Sequence, residues 1–432
     1  MILSNVLQSL SGTINSIFLG RMIGVNALAS VSGFFPVLFF FVSFVIGFGS
    51  GGTVLIGQAY GAKDLEKVKA IAGTALSFGT IIGLMVAVFG GLFARPLLIM
   101  VGTPENILGS AVEYGRILLI ASPLLFLFML STFMMRGVGD TVTPLIALVV
   151  QIVIGLIATP ALIQGWGGLP KLGVTSAAYA GILSWVLTLA MLVVYLRRMR
   201  HPMAPDYALL RHFWIDWKIL KTVLRIAIPT SLQMVLLSIA EAAVLRFVNG
   251  FGSNATAAYG TVNQVVSYIQ FPSMSVAMTA SIFAAQAIGG GNMGRLRTIT
   301  RTGIYLSLIL TGVLVIVGYL FSRTLIGFFV KDPAVIELAQ RLLHITLWSY
   351  LVFGCSALVA GVMRASGTVL VPSAISIFSI LGIEVPVAYL LSGKIGIEGI
   401  WIAYPVAFVA MLAMQTTYYK LVWKKKTIQR LV

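Results

Sequence analysis

The chain has 432 residues, 59% of them hydrophobic and only 9% charged, and it carries a formal net charge of +17. Its mean hydropathy of +1.02 and sparse charge exclude a water-soluble domain, in which about a quarter of the residues are charged. A single cysteine, Cys355, excludes a disulfide framework.

Taken in chain order, apolar runs long enough to cross a hydrocarbon core as helix occur near 28–57, 70–93, 117–135, 144–164 and 172–196. They continue near 226–249, 255–288, 303–321, 342–363, 369–392 and 395–419, and a weaker run covers 1–20. The runs are continuous rather than alternating, which argues against barrel strands. The expectation is an all-α membrane protein with twelve transmembrane helices.

The basic residues then have a topological meaning. With twelve spans, the loops after even-numbered helices lie on one side together with the termini. That side collects Lys63, Lys67, Lys69 and Arg136, the Arg and Lys residues of 197–225, and the tail Lys424, Lys425, Lys426 and Arg430. By the positive-inside rule both termini face the cytoplasm of a multi-pass plasma (inner) membrane protein. Contact with the lipid bilayer is expected, whereas basic residues scattered over short loops do not make a nucleic-acid surface.

The sequence repeats itself. "RGVGDTVTP" at 136–144 returns as "RASGTVLVP" at 364–372, so that Arg136 and Arg364, Gly139 and Gly367, and Pro144 and Pro372 each stand 228 apart. The same offset pairs Gly24, Asn26 and Ala27 with Gly252, Asn254 and Ala255, and Gln58, Ala59 and Gly61 with Gln286, Ala287 and Gly289. Later in each half the offset falls to 223, matching Lys171, Gly173 and Ala180 to Lys394, Gly396 and Ala403. Two copies of a six-helix unit enter the membrane in the same direction and form two bundles related by a parallel repeat. The expected organisation is an N-lobe at 1–196, a linker at 197–217 broken by Pro202 and Pro205, a C-lobe at 218–423 and a basic tail at 424–432. The chain is expected to act as a monomer.

The repeated phrase closes the fourth helix of each half. Gly139 and Gly367 suit the left-handed residue that ends a helix, Asp140 and Thr141 suit the cap of the next one, and Pro144 suits its first turn. Arg136 and Arg364 are placed to satisfy terminal carbonyls among the headgroups. These positions read as structural turns and anchors before they read as substrate contacts.

Together with Gly57-Gln58-Ala59-Tyr60-Gly61-Ala62 at the end of the second helix and "IGIEGIWIA" at 395–403, the phrase resembles the multidrug and toxic compound extrusion (MATE) family. The resemblance covers nearly the whole chain. It implies two six-helix bundles around a cleft and secondary active antiport by alternating access, exporting amphipathic, often cationic drugs or toxins in exchange for H+ or Na+. No cofactor and no metal is implied. In two places the chain departs from the family pattern. Asn15 stands where many members carry an Asp in helix one, and Gly155 and Thr159 stand where many carry an Asn and an Asp in helix five. The N-lobe thereby lacks the carboxylates of its relatives.

Of the twelve acidic residues, nine lie in cytoplasmic loops or near the outer surface, and a tenth, Glu113, is expected to pair with Arg116 on one helix face. Two remain inside apolar helix: Glu241 in "SIAEAAVLRF" and Glu384 in "ILGIEVPVAY". An ionised carboxyl in the bilayer costs several kcal/mol, so such groups face a cavity or a partner and mark ion pathways. Glu241 and Glu384 are therefore the candidate ion-coupling residues, although Glu384 has a packing alternative, because Pro386 frees a backbone carbonyl nearby. Gln8 and Asn15 in helix one, and Asn263, Gln264 and Gln270 in helix eight, are candidates for a wet cavity, with helix–helix hydrogen bonding as the alternative. Phe35 and Met274 are candidates for a soft drug surface, with lipid or core contact as the alternative.

A lipid-linked oligosaccharide flippase would share the two lobes but should place several cationic residues within the cleft, and no Lys or Arg lies mid-helix here. An enzyme is not expected, since there are three His and no H-E-x-x-H cluster, and no P-loop accompanies the helices. Under the 228 offset Met1 aligns with Pro229, so helix one lacks the lead-in "WKILKTVLRIAI" of helix seven. The expectation is a late start or a truncation, and no signal-peptide pattern is present.

Overall fold

The computed structural model describes residues 1–168 and 170–431, with the side chains of Val25, Ala208 and Leu210 left aside. Among the described residues there is helix and no strand. The first unit contains α1 (Ile2–Phe18, continuing as a π-turn over Leu19–Ile23), α2 (Val25–Gly61) and α3 (Leu65–Met100). Next comes α4, made of Glu105–Ile120 and Ser122–Gly137 bent by 55°, followed by α5 (Val142–Gln164) and α6 (Gly173–Arg198). The second half repeats this order with α7 (Trp217–Asn249), α8 (Ser253–Gly289), α9 (Arg295–Leu320) and the pair α10, Pro333–Thr346 with Ser349–Ala365, bent by 46°. It ends with α11 (Leu370–Ile395) and α12 (Ile397–Leu421).

Among the described residues nine helices are long and apolar enough to cross a membrane, or eleven if each bent pair is one span. The remaining expected element is α1, whose α-helical stretch has 17 residues. The repeat extends to the backbone. Helices α2 and α8 both have 37 residues, and their first and last residues are each offset by 228. Both are entered through a positive-φ glycine, Gly24 at +124° and Gly252 at +97°. The repeated turns hold Gly139 at +91° and Gly367 at +81°, a region closed to most L-residues.

Each unit is held by apolar packing with a few polar ties. In the first, the Thr53 hydroxyl of α2 donates to the Phe133 carbonyl of α4 at 2.9 Å, and the Ser122 hydroxyl donates to the Gly83 carbonyl of α3 at 2.9 Å. In the second, a core of Val262, Val266, Leu343, Leu347, Trp401 and Phe408 joins α8, α10 and α12. There the Ser273 and Thr311 hydroxyls meet at 2.5 Å, tying α8 to α9. Interhelical bonds of this kind compete with no water in a bilayer.

The chain divides into compact units at Ala227/Ile228, inside α7 rather than at its start. The first turns of α7 pack with the first unit, where a Cβ on Gly51 would lie 2.8 Å from the Val223 carbonyl oxygen. One expected pair does not form: the ion pairs of the described residues are Lys69–Asp206, His201–Asp140 and Arg341–Glu398, and Glu113 and Arg116 are not among them. Both side chains are exposed, and water solvates each as well as the partner would.

Candidate functional site

The candidate site is built on three helices of the second unit. Glu241 lies on α7 two turns before its end at Asn249, in the apolar run after Pro229. Ala240, beside it in sequence, packs with Ile380 of α11 and Met411 of α12. That contact brings α7 against the irregular part of α11, where Phe378–Glu384 winds as π-helix before Val385-Pro386. Pro386 offers no N–H to the preceding turn, and a widened turn accommodates the interruption. Glu384 is the last residue of this π segment and is 4% exposed, whereas Glu241 is exposed. Val385, next to Glu384, packs against the same small cluster as Ala240, next to Glu241.

Three tyrosines complete the site. Tyr259 of α8, Tyr350 of α10 and Tyr404 of α12 are buried in one core, and Val385, next to Glu384, packs against it. Tyr259 and Tyr404 are both buried, and Asn263 stands one turn after Tyr259 on α8. The Tyr259 ring lies 5.6 Å from that of Trp401, which in turn lies 5.8 Å from Tyr404. The arrangement sets two carboxyls beside phenolic hydroxyls and an amide, groups that can take up, share or release a proton or ligate a small hard cation. Among the described residues, no cluster of three or more His, Cys, Asp or Glu could hold a metal ion.

Of the other candidates, Asn263 joins this group, and Gln264 and Gln270 follow it on α8, half-buried. Met274, one turn beyond Gln270, is 42% exposed. Gln8, Asn15 and Phe35 belong to the first unit. Phe35 is 60% exposed and stacks on Phe39 at 6.0 Å, while the Asn15 side-chain oxygen is buried without a hydrogen-bond partner. Thr159, on the continuous α5, is buried. Sequence reasoning missed Tyr259, Tyr350 and Tyr404, since a tyrosine in an apolar helix carries no charge to single it out. The spacing of Trp401 and Tyr404 after "IGIEGI" was the one available hint.

The turn residues form a separate group at the end of the fourth and tenth helices. Asp140 Oδ1 accepts the backbone N–H groups of Val142 at 2.9 Å and Thr143 at 3.0 Å, capping α5. His201 Nε2 stands 3.3 Å from Asp140 Oδ2. Burial works against the Asp140 carboxylate, but hydrogen bonds from His201, Thr143 and Val142 outweigh it and hold the group well below the usual carboxylate range. The Arg136 guanidinium lies 5.6 Å over the Phe133 ring, and Arg364 ends α10 half-buried, three residues before Gly367.

A doubled, membrane-spanning helical unit with carboxyls held inside apolar helices is the build of a membrane transporter. The MatE family model matches residues 1–160 and 229–390, and the chain belongs to the multidrug and toxic compound extrusion family. It is a transporter and not an enzyme. A relative named probable multidrug resistance protein YoeA, from Bacillus subtilis, is 47% identical over all of this chain and 94% of its own length. An FAD transporter from Shewanella oneidensis is 26% identical over 95% of this chain and 90% of its own. A crystal structure of a MATE protein in a bent conformation, 22% identical, superposes with a TM-score of 0.88 over 97% of this chain and 92% of that one, which shows the shared fold.

Proposed function

We propose that this protein is a secondary active multidrug efflux antiporter of the cytoplasmic membrane, with both termini inside. On this reading it exports amphipathic, cationic compounds in exchange for protons or sodium ions. The multidrug resistance name of the relative at 47% identity supports the substrate class. The observation that carries the coupling reading is that Glu241 and Glu384 lie on segments packed together in the second unit, while Asn15 and Thr159 leave the first unit without a counterpart. An apolar setting favours the neutral form of a carboxyl. A carboxyl there alternates between a neutral, protonated state and an ionised state that holds a cation. Glu241, exposed in an apolar stretch of its helix, is read as facing water rather than lipid, because an ionised carboxylate in hydrocarbon is costly. Entry of the ion and departure of the drug then draw on the same charge.

The test compares three variants in vesicles at matched insertion. Glu241→Gln and Glu241→Ala are expected to abolish dye export driven by a pH or sodium gradient. Asn15→Ala, which removes an amide that cannot change charge, should lower export only a few-fold. An active Glu241→Ala beside a dead Asn15→Ala would place coupling in the first unit instead.

A further inference from the structure

The segment joining α6 to α7 is not a loose tether. Its inner face is fixed to the first unit: Met203 and Leu209 are buried, and Lys69 pairs with Asp206. The Thr74 hydroxyl donates to the Trp214 carbonyl and accepts the Asp216 N–H, both at 3.3 Å. His201 Nδ1 accepts the Met203 N–H at 3.1 Å, which leaves Nε2 facing Asp140. Gly73 of α3 lets the backbone of His212 approach so closely that a Cβ there would collide with it.

The outer face is the opposite of what a water-facing loop shows. Tyr207 and Trp214 are each 82% exposed and Trp217 is 74% exposed. Between and beside them Arg211, Lys218 and Lys221 are exposed, and Trp217 and Lys221 share one helix face. Arg197, Arg198 and Arg200 add exposed charge at the end of α6. The two acidic residues of the segment are already engaged, Asp206 with Lys69 and Asp216 with the N–H groups of Lys218 and Ile219 at 2.8 and 3.3 Å. Flanked by two membrane-spanning helices, this strip is held by connectivity close to the bilayer surface.

We propose that the 199–221 segment is a docking surface for anionic phospholipid headgroups of the adjacent leaflet, the cytoplasmic one on the orientation given above. Tyr207, Trp214 and Trp217 seat in the headgroup layer, as amphipathic rings do, and Arg211, Lys218 and Lys221 bind lipid phosphates. Charge complementarity selects this occupant: the exposed face carries unopposed positive charge, and the leaflet next to it is negative. Bound lipid would hold the segment, and the turn it straps through His201 and Asp140, against the membrane.

The test uses the full chain in vesicles of phosphatidylcholine with and without phosphatidylglycerol, and needs no transport. Emission from Trp214 and Trp217 is obtained as the difference between the protein and its Trp214→Phe/Trp217→Phe variant. Brominated phosphatidylglycerol should quench this component about fivefold more effectively than brominated phosphatidylcholine. The preference should vanish in Arg211→Gln/Lys218→Gln/Lys221→Gln, or on raising salt if that variant does not fold. Quenching by aqueous acrylamide with none by either bromolipid would overturn the proposal and indicate a water-facing or protein-binding surface. Equal quenching by the two bromolipids in the unaltered protein would remove its anionic selectivity and overturn it equally.

Discussion

Asp140 joins three parts of the first unit through one side chain: it caps α5, closes the turn after α4 and meets His201 of the linker. Its carboxylate is favoured in the folded protein, so its folded pKa lies below the unfolded one. The stability this contributes is present in full above the unfolded value, near pH 4, and is lost as pH falls from there toward the depressed folded value. Replacing Asp140 with Asn takes the charge out of these hydrogen bonds and should therefore cost about 1 kcal/mol at neutral pH. The deficit should narrow only below about pH 4. Thermal unfolding of both proteins between pH 7 and pH 3 measures this; a deficit that stays constant down to pH 3 would mean that the carboxylate charge is not what holds the turn. The cap was visible in the motif. The histidine 61 positions later was not, because no local pattern connects the two.

At the scale of elements, equivalent pieces of the two units differ where Glu384 replaces an uncharged stretch. Helix α5 is continuous α-helix, whereas its counterpart α11 opens into a π-turn that ends on Glu384. The tail after α12 shows a second kind of specialisation. Trp423 is 2% exposed, stacks on Tyr419 at 5.1 Å, and its indole N–H donates to Ser366 of the repeated turn at 2.9 Å. Beyond it Leu431 lies against Gly367. The tail thus straps the turn of the second unit as the linker straps that of the first. Truncating a buried tryptophan, Trp423→Ala, should destabilise the protein by about 3 kcal/mol. Ser366→Ala should cost about 1 kcal/mol, the value of one hydrogen bond. Denaturant or thermal titrations in detergent separate the two, and equal losses would mean that the hydrogen bond, not the packing, holds the tail.

At the scale of the whole molecule, the proposed single coupling site in a doubled fold has a consequence for energetics. If a single proton enters through the Glu241–Glu384 site for each monovalent cation that leaves, no net charge crosses the membrane. The drug gradient should then follow the pH gradient, about tenfold per pH unit, and be indifferent to membrane potential. Vesicles clamped with valinomycin and potassium at a fixed pH gradient test this. A gradient that changes with the clamped potential would require more than one coupled ion per turnover.

The sequence by itself determined the class and the repeat, because both are written in properties that need no neighbours. Long apolar runs must be helix in a bilayer, the basic residues follow orientation, and residues with special backbone needs, such as Gly139 and Gly367, recur at one spacing. It also exposed Glu241 and Glu384, since a carboxyl in an apolar run stands out against its own surroundings. Only the tertiary structure decided what meets those carboxyls. The tyrosines come from α8, α10 and α12, far apart in the chain, and are gathered into one core beside Val385 by helix packing that no local periodicity encodes. The same holds for the linker. Read alone, residues 197–217 are a polar stretch broken by prolines; folded, they are pinned by Lys69 and Thr74 of α3, and that fixes which of their side chains face outward.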